Sequence, residues 1–400
     1  MKNVLYIALF APTDNANGAG QKTLNYYIKN MAAQADCNID LIAFCPWKDK
    51  DLMDAGKAGI HTHFAWRYSA KEEFWGNCRS IVSKFYPFHK YANIMTINAR
   101  DILLSRAKEL KNKGYEPDVV ILEWTQVVLL IEDVKAIFPN AKYIASEHDV
   151  SFLGFERQYK SLSGFKKYWM KLRYHNLKKR ELEALHKCDL VIPHNSKDKN
   201  LLVKNGIPTD KCHVIVPYYM QLNVERLEKP QPEIVFFGAM YRPENYLSAI
   251  WFIENVLPKL PSNIKFIVLG GKPHSQLLEY ACDNVIITGF VDDITPYLNR
   301  CLCMVAPLVL GAGIKVKVLE AFAAGVPLIT NMIGIEGIPG QSGVNYIHCE
   351  SADDYVKSIN EIIKGTVDTY KISTAAKQTI EKHFNLQESF VKYKKRIMEI

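Results

Sequence analysis

The chain has 400 residues, more than one ordinary hydrophobic core organises, so two domains of about 180–200 residues each are expected. Hydrophobic residues make up 48% and charged residues 23%, a globular composition that excludes disorder. The formal net charge of +8 favours an acidic partner, whether nucleotide phosphates, an anionic lipid surface or nucleic acid, and by itself chooses none of them.

The first apolar run, residues 4–10, is too short for a secretory signal or a membrane span and reads as a buried strand. No other run reaches spanning length. The nine cysteines are scattered without a CxxC pair, and the two sulfurs of Cys301-x-Cys303 alone make a poor metal site. No metal is expected, and a reducing cytoplasm fits this cysteine usage.

Short β-branched runs alternate with amphipathic stretches along the whole chain. Strands are predicted over 4–10, 39–44, 118–122, 142–145, 190–193 and 213–216, then over 233–237, 265–269, 285–288, 302–306, 327–330 and 345–348. Helices are predicted over 20–33, 101–111, 245–257 and 351–363. Alternation of this kind is α/β and implies parallel, doubly wound sheets. The pattern restarts after a charged, proline-containing linker at 225–232. Domains are therefore expected at 1–220 and 230–375. Ligands of such sheets bind at the carboxyl ends of the strands.

Residues 307–330 carry the sharpest local signal. A strand ends at Pro307, Gly311 and Gly313 allow a tight turn, and a helix is expected to begin near Ile314. Backbone N–H groups at that helix start, with Lys315 and Lys317 nearby, suit a phosphate. Glu320 lies farther along the helix and can accept hydrogen bonds from ribose hydroxyls, while Gly325 ends it. An ordinary strand–loop–helix unit would show the same glycines.

The run 311–327, followed by Gly334-Ile-Glu-Gly-Ile338, resembles the signature of family 4 glycosyltransferases, retaining enzymes of the GT-B fold with two facing Rossmann-like domains. The segments 236–252, Leu269-Gly-Gly-Lys-Pro273 and 287–298 resemble that family's donor domain in the expected order. The resemblance implies a cation at Arg242 against the donor diphosphate, Lys315 in the phosphate-facing loop with Gly313 and Ile314, and Glu320 holding the ribose. It sets Gly289, Phe290 and Val291 beside the nucleobase. It also implies a UDP- or GDP-sugar donor, no further cofactor, and a final segment, 376–400, crossing back to the first domain on Leu386, Phe390, Tyr393 and Ile397, with Lys392, Lys394 and Lys395 largely towards water.

Two positions depart from the family pattern. Ala312 stands where the first glutamate of the paired-glutamate motif is usual, a change that a Gly-Ala-Gly subgroup shares. Leu122-Glu123-Trp124 replaces a fourth-strand histidine, and His148, after the next strand, is the nearest substitute.

The first half matches more loosely. Gly18 and Gly20 follow the first strand without completing a dinucleotide fingerprint, and their loop can approach the donor phosphates or the acceptor. Glu123, His148 and Asp149 stand just past strand ends, where a carboxylate and an imidazole can orient an acceptor hydroxyl or take its proton. Residues 157–180 hold nine Lys or Arg and no acid, with Phe165, Tyr168, Trp169 and Leu172 at helical spacing. Such a helix suits an anionic membrane surface, or packs its stripe on its own domain. The basic, aromatic stretch 66–91 reads as an acceptor-side flap.

These observations lead to a glycosyltransferase acting on a glycan, lipid-linked or small-molecule acceptor in cell-surface polysaccharide or glycoconjugate synthesis. The partners expected are the donor, that acceptor and an anionic membrane face, without nucleic acid. A sugar-nucleotide epimerase on the same fold, or a non-catalytic basic binder of membrane or nucleic acid, is the alternative.

Overall fold

A computed structural model describes residues 1–14, 16, 18–46, 54–67, 90–91, 94–311 and 313–400. Ala312 and residues 68–89 of the 66–91 stretch lie outside them, so the flap expectation and the Ala312 departure fall outside the described residues. The chain forms two compact units, Met1–Tyr218 with Leu386–Ile400, and Tyr219–Asn385. The second unit thus runs beyond the 230–375 expected. Helix Thr369–His383 packs against helix Val316–Ala324, which keeps residues 376–385 with the second unit.

In the first unit, β1 (Lys2–Ala8), β2 (Cys37–Pro46), β3 (His61–Thr62), β4 (Ala65–Arg67), β5 (Val119–Glu123), β6 (Lys142–Glu147) and β7 (Leu190–Pro193) form a parallel sheet. Its order is β3-β2-β1-β5-β6-β7, with β4 also paired to β2. The strands read as continuous apolar runs because both faces are covered. Alternate residues serve different cores: Leu5, Ile7, Val120 and Leu122 on one face, Val4, Tyr6, Val119 and Ile121 on the other. Residues 213–216 are not a strand. Only Cys212 bridges to Val191, although His213 and Ile215 still donate to the carbonyls of Val191 and Pro193.

The last helix, Leu386–Glu399, closes the second of those faces. Phe390, Tyr393 and Ile397 join the Val4 and Tyr6 core, and the Tyr393 and Tyr6 hydroxyls are 2.9 Å apart. Lys2 donates to the carbonyls of Ile397, Met398 and Ile400. Lys392 and Lys395 are exposed, but Lys394 is not given to water: its ammonium lies 3.0 Å from Asp36 and 2.9 Å from Gln34.

In the second unit, β8 (Glu233–Phe237), β9 (Lys265–Leu269), β10 (Val285–Gly289), β11 (Cys303–Ala306), β12 (Leu328–Thr330) and β13 (Ile347–His348) form a parallel sheet ordered β10-β9-β8-β11-β12-β13. In both sheets the order reverses beside the first strand, between β1 and β5 and between β8 and β11. Crevices at such reversals, past the carboxyl ends of the strands, are where open α/β sheets hold ligands.

Candidate functional site

In the first unit the reversal point is occupied by a buried polar cluster. Trp124 follows β5 with φ +70°, a conformation bulky residues avoid. The bend leads into helix Thr125–Val128 and lays the indole on the His148 ring, centroids 4.4 Å apart and 16° from parallel. His148 follows β6, and its Nε2 is 2.9 Å from Oε2 of Glu123. The two side chains are only 9% and 4% exposed.

Burial disfavours both charged forms. It pushes the Glu123 carboxyl up to about 7 and the His148 imidazole down to about 3. The contact is therefore a hydrogen bond with a neutral imidazole, not an ion pair. When Glu123 is ionised it accepts Nε2–H, and Nδ1 keeps its lone pair. Among the described residues no hydrogen-bond partner reaches Nδ1. It looks onto Gly20, in the first turn of helix Ala19–Ala32, where an added Cβ would stand 3.0 Å from Nδ1 and 3.1 Å from Nε1 of Trp124. Gly18 caps that helix, its N–H donating to Oε1 of Gln21 at 3.2 Å.

Two further residues belong to the cluster. His194, just past β7, stands edge-on to His148 with centroids 4.3 Å apart, and burial pulls it well below its ordinary range. Glu147, the last residue of β6, accepts from Thr125 Oγ1 at 2.5 Å, and burial holds its carboxyl well above the usual range. Nε2 of His194 and Oε1 of Glu147 are likewise without a partner among the described residues. Asp149 is exposed, with Ser151 Oγ 3.5 Å away. Glu123 and His148 are thus brought together, and Asp149 lies at the exposed surface. Glu147 and His194 were not singled out from the sequence, yet each lies at or just past a strand's carboxyl end, the criterion that found His148.

In the second unit, cationic side chains gather where β8 and β11 diverge. A Cβ on Gly238 would stand 2.8 Å from Nζ of Lys317 and 3.0 Å from Nδ2 of Asn245. Lys317 donates to Oδ1 of Asn245 and lies 4.6 Å from the ring centre of Phe236. Burial of its ammonium end pushes its pKa down to about 7, with Glu244 opposing the shift and Arg242 and Lys315 adding to it. Arg242 caps helix Pro243–Asn255, half exposed, 2.6 Å from Glu244.

Lys315 caps helix Val316–Ala324, donates to the Gly313 carbonyl and lies 3.6 Å from Glu336. Glu320 is buried in that helix, where Oε1 accepts the Met220 N–H at 3.3 Å. Gly325 ends the helix with φ +65°. Gly313 is buried and Ile314 half-buried before the helix starts. Gly289 closes β10 with φ +71°, its carbonyl accepting the Gly270 N–H at 2.8 Å. Phe290 is 70% exposed and Val291 half-buried. Asn245 and Glu336 are additions to the sequence reading, since each pairs with a lysine distant in the chain.

Among the described residues, no group of three or more His, Cys, Asp or Glu is placed to hold a metal ion, and no helix is long and apolar enough to cross a membrane.

Residues 231–365 match the family model described as glycosyl transferases group 1. HepE of Anabaena, solved in complex with UDP, is similar over 100% of both chains at 13% identity with a TM-score of 0.71. Sucrose-phosphate synthase from Thermosynechococcus elongatus is similar over 100% of this chain and 99% of its own, at 13% identity and 0.72. The chain has the GT-B fold. TarM shares it over 98% of each chain, at 12% identity and a TM-score of 0.67. No curated protein matches. The GT-B fold comprises two Rossmann-like domains, and the group 1 match falls inside the second unit, the one that carries Arg242, Lys315, Lys317 and Glu320.

Proposed function

We propose that the protein is a glycosyltransferase that takes a sugar from a UDP- or GDP-sugar and places it, with retention, on a hydroxyl of a glycan, lipid-linked or small-molecule acceptor. The observation that carries this reading is the coincidence of the group 1 match with the cationic carboxyl edge of the second unit. HepE has been solved with UDP and with UDP-glucose, which supports a nucleotide-sugar donor here.

In this reading Arg242 and Lys315 neutralise the diphosphate, Glu320 accepts from the ribose hydroxyls, and the backbone of Gly289, Phe290 and Val291 lines the base. Gly313 and Ile314 lead the phosphate loop into the helix start. The bond from the anomeric carbon to the phosphate oxygen breaks with its electron pair leaving on the diphosphate. The acceptor oxygen bonds to the same carbon, on the face the leaving group vacates. Fixed positive charge at the leaving diphosphate is the larger source of rate.

The first unit supplies the acceptor side. His148, held by Glu123, takes or orients the acceptor proton through Nδ1. Asp149 meets acceptor hydroxyls from the surface, and the bare backbone around Gly18 and Gly20 lets the substrate approach. The chemistry suits synthesis of cell-surface polysaccharide or glycoconjugates from the cytoplasmic side.

The test is release of nucleoside diphosphate from a panel of UDP- and GDP-sugars, with the product's anomeric coupling read by NMR. Release should fall by more than about tenfold in Arg242→Ala and in Lys315→Ala. No release from any donor would sink the glycosyltransferase reading, and an inverted product would sink retention alone.

A further inference from the structure

The hairpin between β6 and β7 is made of helices Ser151–Ser161 and Gly164–His186, packed on each other. Its second helix changes character along its length. From Tyr174 onward it buries Tyr174, Asn176, Leu177, Glu181, Ala184 and Leu185. Before that, residues 163–168 are all exposed, Phe165 at 78% and Tyr168 at 60%. The expectation of an apolar stripe packed on its own domain therefore fails for these two rings.

Lys166, Lys167 and Lys171 are exposed around them. Arg180, towards the hairpin's base, pairs with Glu183, and Lys160, beside the tip turn, pairs with Glu156, but among the described residues no ion pair takes up Lys166, Lys167 or Lys171. Two bare aromatic rings among three uncompensated lysines fit a surface that is apolar inside and anionic outside. A second copy of the chain fits poorly, because a two-fold contact would oppose like charges. Single-stranded nucleic acid is held in grooves that track its backbone, whereas these residues form the end of a hairpin.

We propose that this hairpin tip docks the first unit on an anionic lipid bilayer. Phe165 and Tyr168 enter the interface, and Lys166, Lys167 and Lys171 meet lipid phosphates. The hairpin's base is tied to the His148 cluster: it starts three residues after His148, and Glu181 accepts the N–H groups of Ser151 and Phe152, both at 3.0 Å. From Lys167 to Glu181 the helix advances about 21 Å. Docking therefore holds the cluster within about 20 Å of the bilayer along that helix, the reach of an acceptor displayed on a lipid headgroup. The inference stands apart from sugar transfer, since docking is read without turnover.

The experiment is sedimentation with vesicles of phosphatidylcholine alone or with about a third phosphatidylglycerol, a content sufficient for a strong surface potential. It compares wild type with Phe165→Ser/Tyr168→Ser and with Lys166→Glu/Lys167→Glu/Lys171→Glu, with circular dichroism confirming that each variant is folded. Wild type should pellet with the anionic vesicles only and be released as salt rises towards about 0.5 M. The charge reversal should weaken partitioning by about a hundredfold or more, at about 1 kcal/mol per lysine, and the aromatic variant should weaken it too. Equal pelleting of all three proteins, pelleting on neutral vesicles, or no pelleting would overturn the proposal. So would a self-association or an oligonucleotide affinity that the same substitutions abolish while wild type leaves the vesicles unbound.

Discussion

Nε2 of His148 stands 2.9 Å from Glu123, while Nδ1, the other ring nitrogen, faces Gly20 without a hydrogen-bond partner among the described residues. The protonation of one carboxyl therefore sets the character of the buried nitrogen on the other side of the ring. With Glu123 ionised, Nδ1 is a lone-pair acceptor. With Glu123 protonated, its O–H can donate to Nε2, and the ring's proton moves to Nδ1.

Turnover should accordingly rise as pH passes through about 7, the value to which burial pushes Glu123, and level off above it. In Glu123→Gln the amide donates to Nε2 at every pH and fixes the wrong tautomer, so turnover should fall by about 10²- to 10⁴-fold and lose that limb. Stability should move the other way. Because the folded state raises the Glu123 pKa, ionisation costs stability as pH climbs from the ordinary carboxyl range through about 7. At pH 8 the Gln variant should be at least as stable as wild type. His148 has the opposite sign: its depressed pKa makes stability rise with pH from about 3 towards 6.5. Denaturant melts at several pH values, beside pH–rate profiles, check both claims.

Gly20→Ala should separate activity from stability in a different way. The new Cβ would stand 3.0 Å from His148 Nδ1 and 3.1 Å from Trp124 Nε1, so the rings must give by a few tenths of an ångström. Alanine also favours the helix, by up to about 1 kcal/mol. The net change in stability should stay within about 1 kcal/mol, while turnover drops by about tenfold or more because the new Cβ fills the space beside Nδ1. Full activity in a folded Gly20→Ala protein would remove Nδ1 from the chemistry.

Lys317 should report diphosphate binding through its proton. Burial pushes its pKa down to about 7, so above that pH the side chain is largely neutral in the free protein. An arriving diphosphate favours the ammonium form. Titration calorimetry at pH 8 in two buffers of different ionisation enthalpy should show uptake of a proton, and Lys317→Met should abolish it. Identical heats in both buffers would place Lys317 away from the phosphates.

The final helix should be indispensable to the first unit. Ending the chain at residue 385 strips Phe390, Tyr393 and Ile397 from the Val4 and Tyr6 core, at about 1.5–3 kcal/mol for each large side chain. That sum approaches the whole stability of a typical domain. The truncated protein should be insoluble or unfolded in its first unit. Tyr393→Phe, which removes only the bond to the Tyr6 hydroxyl, should cost about 1 kcal/mol.

Much of this arrangement was legible in the sequence, and the reasons are local. Parallel strands buried on both faces read as apolar runs, so β1, β5, β8 and β9 were visible. β3 and β4 were not: each is a fragment of two or three residues without the continuous apolar run of the other strands. Residues 213–216 have strand composition, but the bridge to β7 is made by Cys212 just before them, which composition does not disclose. His148 and Glu123 were nameable from their places at strand ends, yet their hydrogen bond joins residues 25 apart. The pairing of Lys317 with Asn245 spans 72 residues. Such long-range contacts depend on how the strands are ordered in the sheet, and a single sequence does not state that order. The strain at Trp124 was equally hidden, since a tryptophan gives no sign of positive φ.

On the proposed function, the second unit binds the donor and the first handles the acceptor's proton. Calorimetric titration of UDP and of GDP into wild type, Glu320→Ala and Glu123→Gln tests it most directly. One nucleotide should bind wild type and Glu123→Gln alike, and bind Glu320→Ala about tenfold or more weakly, the loss of a charged hydrogen-bond acceptor. Unchanged affinity in Glu320→Ala, or no binding of either nucleotide by wild type, would contradict the account.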